Sequence, residues 1–191
     1  MNEAKILYFD KPGRENTAAV ADCVAERLNK GGIEHVVAAS NSGWTALELL
    51  EKIKSTGVKL ISVTEHSGFD GGDELRLNEE YASKLGEAGV SILMCSHALS
   101  GVGRSISKKF GGTTPVEIIA HTLRRFGHGI KVCAEIAVMA ADAGLIPTDT
   151  DIIAVGGSGG GADTAVVMRA AHMNNFFDMK IREILCKPVD F

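Results

Sequence analysis

Short apolar runs alternate with amphipathic stretches along most of this chain, and the alternation predicts strands and helices in turn. Residues 5–9 form the first apolar run, ended by Asp10, Lys11, Pro12 and Gly13. Asn16 then caps a helix whose apolar stripe is Val20, Ala21, Val24 and Leu28, stopped by Gly31 and Gly32. Residues 35–39 read as a second strand. Ala46, Leu47, Leu49, Leu50 and Ile53 line the inner face of a helix over 44–55, closed by Gly57. A third strand is expected over 59–64, a polar loop over 65–72, a charged helix over 73–88 and a fourth strand over 90–95. Strand, helix and strand repeated in this way predict a mostly parallel sheet with right-handed crossovers and helices on both faces.

The second half is less regular. Residues 96–112 read as a long loop without apolar periodicity, of the kind that is functional or mobile in a compact domain. Thr114, Pro115 and Glu117 mark a firm helix start, with an N-cap hydroxyl, proline at the first helical position and a glutamate to close a capping box. Residues 128–143 are apolar on nearly every side, which predicts the most buried helix; within it Glu135 lies one turn from Lys131 and should pair with it. A fifth strand over 151–155, a glycine-rich bend over 156–161 and closing strands over 164–169 and 181–186 complete the reading. The expected fold is α/β, a three-layer sandwich with a mostly parallel sheet, helices on both faces and a closing antiparallel hairpin, in a single domain over 1–191.

Composition agrees and narrows the function. The 191 residues are 45% hydrophobic but only 5% aromatic, with 22 glycines, which suits an aliphatic-rich α/β core. Net charge is −4 and Lys and Arg are scattered, so neither nucleic acid nor an anionic membrane is an expected partner. No apolar run approaches the roughly 20 residues that span a bilayer. The amino-terminal stretch Met1, Asn2, Glu3, Ala4, Lys5 lacks the basic and apolar regions of a signal peptide, so a cytoplasmic location is expected. Cys23, Cys95, Cys133 and Cys186 stand far apart in apolar contexts and read as reduced core thiols. His66, His97, His128 and His172 make no HxxxH spacing, so no metal is expected.

The candidate chemistry lies where the second strand runs into its helix. Ser40, Asn41, Ser42, Gly43, Trp44 and Thr45 place hydroxyls and a glycine at a helix N-terminus, where unpaired backbone N–H groups and the helix dipole favour an anion. The same groups also serve an ordinary cap, with Ser42 as the capping residue, and the sequence leaves both readings open. In a parallel sheet the carboxyl ends of the strands share one rim, which here carries residues 11–16, 40–45, 64–68 and 95–97. A phosphate monoester there would meet Ser40, Asn41, Ser42, Gly43 and Thr45, helped by Lys11 and flanked by Asn16. Thr64, His66, Gly68, Gly156, Gly157, Asp163 and Thr164 would surround a sugar and ring, and Trp44 either stacks on that ring or packs its helix. Arg104, Lys108 and Lys109 either close over an anion or form a solvated patch. Cys95 and His97 read either as nucleophile and base or as structural residues.

Two of these segments resemble the C-terminal α/β domain of pyruvate kinase. Residues 39–46 are similar to its strand-end hydroxyl loop. Residues 153–164, followed by Met168 and Arg169, are similar to its last glycine-rich hairpin. In allosteric pyruvate kinases these two loops hold a sugar-phosphate effector. Over its whole length the chain is closer to a family of stand-alone microbial proteins related to that domain, through residues 9–17, 100–107 and 171–178. That resemblance implies flavin mononucleotide (FMN) as the cofactor at the rim, a flavoprotein without an assigned reaction. Asn41 and Trp44 stand where the pyruvate kinase loop carries basic residues, which leaves room for a flat ring. The barrel domain that performs the metal and enolpyruvate chemistry is not in this sequence, so no pyruvate kinase activity is expected. The partner is a phosphorylated small molecule; a homo-oligomer is compatible with the sequence. The alternatives are a flavin-dependent oxidoreductase or sugar-phosphate enzyme using the same site, with His66 or His97 as acid or base, and an effector sensor that docks on another protein through an exposed apolar patch.

Overall fold

The computed structural model describes residues 3–191; Met1 and Asn2, part of the amino-terminal stretch read above, lie outside the described residues. The strands are β1 (Leu7–Phe9), β2 (His35–Ala39), β3 (Lys59–Thr64), β4 (Ser91–Met94), β5 (Asp151–Gly156), β6 (Thr164–Arg169) and β7 (Lys180–Pro188). The helices are α1 (Thr17–Leu28), α2 (Trp44–Ile53), α3 (Glu79–Glu87), α4 (Val102–Phe110), α5 (Pro115–Arg124) and α6 (His128–Asp142). All seven strands form one sheet in the order β1-β7-β6-β5-β2-β3-β4. Only β6 runs against its neighbours, since β5–β6 and β6–β7 are antiparallel and every other pair is parallel. The carboxyl ends of β1 to β5 therefore open on the same rim.

Apolar residues on both sides of the central strands explain the layers. Val36, Ala38, Ile153 and Val155 pack with Val20 and Val24 of α1 and Leu49 and Ile53 of α2. The intervening Val37, Ile152 and Ala154 face the other way, onto Ile130, Cys133 and Ala137 of α6. As expected from its apolar surface, α6 is buried along almost its full length. α5 lies on α6, and α4 on α5, so this face of the sheet carries two tiers of helix. No helix among the described residues is long and apolar enough to cross a membrane.

Four local readings need correction. Residues 96–112 are not a loop throughout, because α4 occupies Val102–Phe110. Its apolar residues do recur at helical spacing, but Val102, Ile106 and Phe110 face solvent, 77%, 45% and 75% exposed, and its half-buried side holds Gly103, Arg104 and Ser107. The third helix begins at Glu79 rather than Asp73: Asn78 caps it by accepting the Tyr81 N–H at 3.0 Å, after a stretch bent by Gly71. Asn16 precedes α1 but caps nothing, because a 3-10 turn over Arg14–Asn16 leads into the helix and the Asn16 amide donates instead to the Lys11 carbonyl at 2.9 Å. The last strand extends beyond 181–186 to Lys180–Pro188, and its far end carries β1 as a parallel edge. The capping box at Thr114 is present as read, with Glu117 accepting the Thr114 N–H at 2.8 Å.

Candidate anion-binding cleft

β2 and β5 are parallel neighbours whose chains leave in opposite directions, β2 toward β3 and β5 toward β6, and such a switch point leaves a crevice at the carboxyl ends. A cleft of about 610 Å³ opens there. One wall is the β2–α2 turn with the glycine-rich bend after β5; the other is α6 with the segments around His97, Arg104 and Arg124.

The turn is self-satisfied. Gly43 occupies the N-cap of α2 at φ +93, which a side chain would strain. The Ser40 hydroxyl accepts the Ala46 N–H at 3.1 Å and the Ser42 hydroxyl accepts the Trp44 N–H at 3.3 Å, so both satisfy first-turn N–H groups of α2, although the N-cap position itself is Gly43 and not Ser42. Asn41 donates to the Glu65 carboxylate at 2.7 Å, and Thr64 donates to the Asn41 carbonyl at 2.9 Å. Glu65 is itself buried and paired with Arg76 at 3.0 Å. Trp44 carries the Arg14 guanidinium over its ring, 3.7 Å from the centroid, so one face of the indole already holds a cation.

The opposite wall is charged and partly unpaired. Lys131 and Glu135 form a buried ion pair on α6, and Glu135 also accepts the Leu99 N–H at 2.8 Å. Burial pushes the Lys131 ammonium below its ordinary value, against the pull of Glu135. His97 stands beside them, its imidazole lowered chiefly by burial, with Glu135 opposing and Lys131, His66 and Arg104 reinforcing. His66, Phe69 and His97 form an aromatic cluster with centroids 4.9 to 5.8 Å apart, and Arg104 lies over Phe69. Among the described residues the arginine ion pairs are those of Arg27, Arg76, Arg169 and Arg182. Arg14, Arg104 and Arg124 line the cleft without an acidic partner. In a chain of net charge −4 this is a local concentration of positive charge in a concave, partly dry site, where its field is strongest.

Of the residues read from sequence, Asn41, Ser42, Trp44, Thr45, Thr64 and Gly157 stand on the cleft wall. Lys11, Asn16, Ser40, Gly43, His66, Gly68, Gly156, Asp163 and Thr164 do not. Ser40 and Gly43 are buried beneath the turn, and Lys11 and Gly68 are exposed beside it. Asp163 and Thr164 are fully buried and bonded to each other at 2.7 Å, while Asp163 accepts the Ser158 N–H at 3.0 Å; they shape the bend and pack under Gly129 at the start of α6. A side chain on Gly156 would come within 2.7 Å of the Gly129 carbonyl, so that glycine permits the strand to touch α6. Sequence reasoning missed Arg14, Arg76 and Arg124, which come from separate segments and carry no local signature. No group of three His, Cys, Asp or Glu suited to a metal ion stands together among the described residues.

Residues 18–168 match the family described as pyruvate kinase, alpha/beta domain, and the chain belongs to that family. Among solved structures it is similar to pyruvate kinase of Cryptosporidium parvum, at 15% identity over 84% of this chain with a TM-score of 0.39. It is also similar to the same organism's pyruvate kinase in complex with ADP, at 17% identity over 87% of this chain with a TM-score of 0.37. This chain spans 23% of the length of each of those enzymes.

Proposed function

We propose that this member of the pyruvate kinase alpha/beta domain family binds a phosphorylated small molecule in the rim cleft, with FMN as the ligand. The observation that carries the reading is the set of unpaired arginines around the cleft, Arg104 and Arg124 opposite the turn of backbone and hydroxyl groups and Arg14 stacked on Trp44 beside it. Guanidinium forks match phosphate oxygens in geometry as well as charge. The Thr45 hydroxyl and the close backbone approach at Gly157 to Gly161 add uncharged contacts. The volume suits a ligand of nucleotide size. Trp44, Phe69 and His97 supply flat surfaces for a ring, with Arg14 sharing Trp44.

Bound FMN would bring electron-transfer chemistry to the site; the chain's own part is to hold the phosphate and exclude water. The alternative of an enzyme, flavin-dependent or acting on a sugar phosphate, draws on a separate observation. Lys131 and Glu135 form a buried ion pair on the cleft wall with the half-buried His97 beside it, and burial lowers both Lys131 and His97, which is how a lysine or histidine is tuned for acid–base work.

Titration of ligand-free protein with FMN and with riboflavin tests the binding reading. FMN should bind at least tenfold more tightly, since riboflavin lacks the charge that the arginines match. Equal affinity, or none for either, overturns it. Reversible bleaching of bound FMN by a reduced nicotinamide, with turnover, would favour the enzyme.

A further inference from the structure

Behind the second wall lies another pocket, open to solvent and of about 820 Å³, lined by α4, α5 and the start of α6 together with Leu99, Ser100 and Phe191. Its walls carry Arg104, Arg124 and Arg125, together with His121 and His128. None of the three arginines has an ion-pair partner among the described residues, whose arginine pairs involve Arg27, Arg76, Arg169 and Arg182. The one acidic side chain on the wall is Glu117. Its oxygens are already engaged by the Ser107 hydroxyl at 2.7 Å and by the Thr114 N–H and hydroxyl at 2.8 and 2.9 Å. These bonds hold its carboxyl below the usual value and leave its charge committed to the α5 cap. α6 starts at the cavity edge with Gly127 as N-cap and no side-chain cap, so the positive end of a 15-residue helix adds to the same field.

From this juxtaposition we infer a second anion site, separate from the rim cleft, that takes a small polyanion with two phosphoryl groups. A single carboxylate would leave most of the guanidinium charge unmatched, whereas a diphosphate presents enough oxygens for two or three arginine forks. Arg104 and Arg124 border both cavities, so they are the shared partition. Arg125 lines only the second cavity and Arg14 only the first, which lets the two sites be separated by mutation.

The probe is inorganic pyrophosphate, titrated calorimetrically into the full chain at fixed ionic strength. Wild type should show saturable binding. Arg125→Ala should weaken it at least tenfold and Arg125→Lys by less, because lysine keeps the charge without the fork. Arg14→Ala should change it less than threefold. Both Arg14 and Arg125 are exposed, so the variants should unfold at the wild-type midpoint. Absence of saturable binding overturns the inference. So does loss of binding in Arg14→Ala with retention in Arg125→Ala, which would put pyrophosphate in the rim cleft. The FMN titration keeps the two readings apart: pyrophosphate binding that depends on Arg125 in a chain that ignores FMN supports this site and overturns the rim proposal alone.

Discussion

On the β2–α2 side of the rim cleft nearly every polar group already has a partner within the protein: Ser40 and Ser42 cap α2, Asn41 holds Glu65, and Thr64 holds the Asn41 carbonyl. On the α4–α6 side Arg104 and Arg124 have none, and Arg14 reaches across from the first loop to rest on Trp44. Backbone N–H groups such as those of Trp44 and Ala46, once given to serine hydroxyls, cannot also bind an anion at full strength. A turn that resembles a phosphate loop in sequence can therefore be mainly a scaffold, with the affinity supplied by charges from segments far away in the chain. The same α6 wall carries Lys131 and Glu135, where burial makes the pairing obligatory.

The largest expected effect is at that pair. Glu135→Gln would leave the Lys131 ammonium buried without its counter-charge, a change that costs about 3–5 kcal/mol. Chemical denaturation should show a loss of this size, and replacing both residues together by Met and Leu should restore most of it. A single-mutant loss below about 1 kcal/mol would mean that the pair is effectively solvated. Next is Gly43→Ala. A methyl there would sit 2.9 Å from Tyr81 Cβ at a backbone angle that alanine avoids, and overpacking plus strain should cost about 2–3 kcal/mol. An unchanged unfolding midpoint would show that the turn is looser than its geometry implies.

The two walls respond differently to truncation, and this breaks or sustains the comparison directly. Arg104→Ala or Arg14→Ala should leave stability within about 0.5 kcal/mol. Either should weaken FMN binding by about ten- to a hundredfold, the worth of a hydrogen bond to a charged group. Ser42→Ala should do the reverse, lowering stability by about 0.5–1 kcal/mol through the lost cap while changing FMN affinity less than threefold. If Ser42→Ala costs more affinity than Arg104→Ala, the scaffold reading of the turn is wrong.

The physics behind each element decides how much of this was legible in the sequence. β2, β5 and α6 are apolar on the faces that the layers bury, so their pattern states their place. α4 also shows helical spacing in Val102, Ile106 and Phe110, a signal that the flanking Gly and Ser residues mask by suggesting a loop. Periodicity also would not reveal that those residues face outward, since that depends on α4 lying in the second tier with Arg104 and Ser107 turned inward. The hydroxyl turn was visible because its parts are adjacent in sequence. Arg124 is not, because only the assembled sheet brings its segment to the cleft, and Arg14, though in a segment expected on the rim, has no local signal that sets it apart. Asp163 and Thr164 were placed on the rim from their position in the bend, but a bend does not specify which way its side chains point, and here they point inward under Gly129.

The smallest expected effect is a pH dependence that reports on the imidazole beside the same pair. Burial holds the folded-state His97 below the ordinary imidazole value near 6.5, so in the interval between the two values the unfolded chain binds a proton that the folded chain refuses. Stability therefore rises with pH across that interval, is fully present above about 6.5, and is lost as pH falls through the folded value. His35, also lowered by burial, acts in the same direction from β2. His97→Phe should flatten the dependence of the unfolding midpoint on the acid side of the ordinary imidazole value of about 6.5 without abolishing it, because His35 remains. A curve that is unchanged in His97→Phe and flat in His35→Phe would assign the whole effect to β2, and the imidazole beside Lys131 and Glu135 would then be open to solvent in both protonation states.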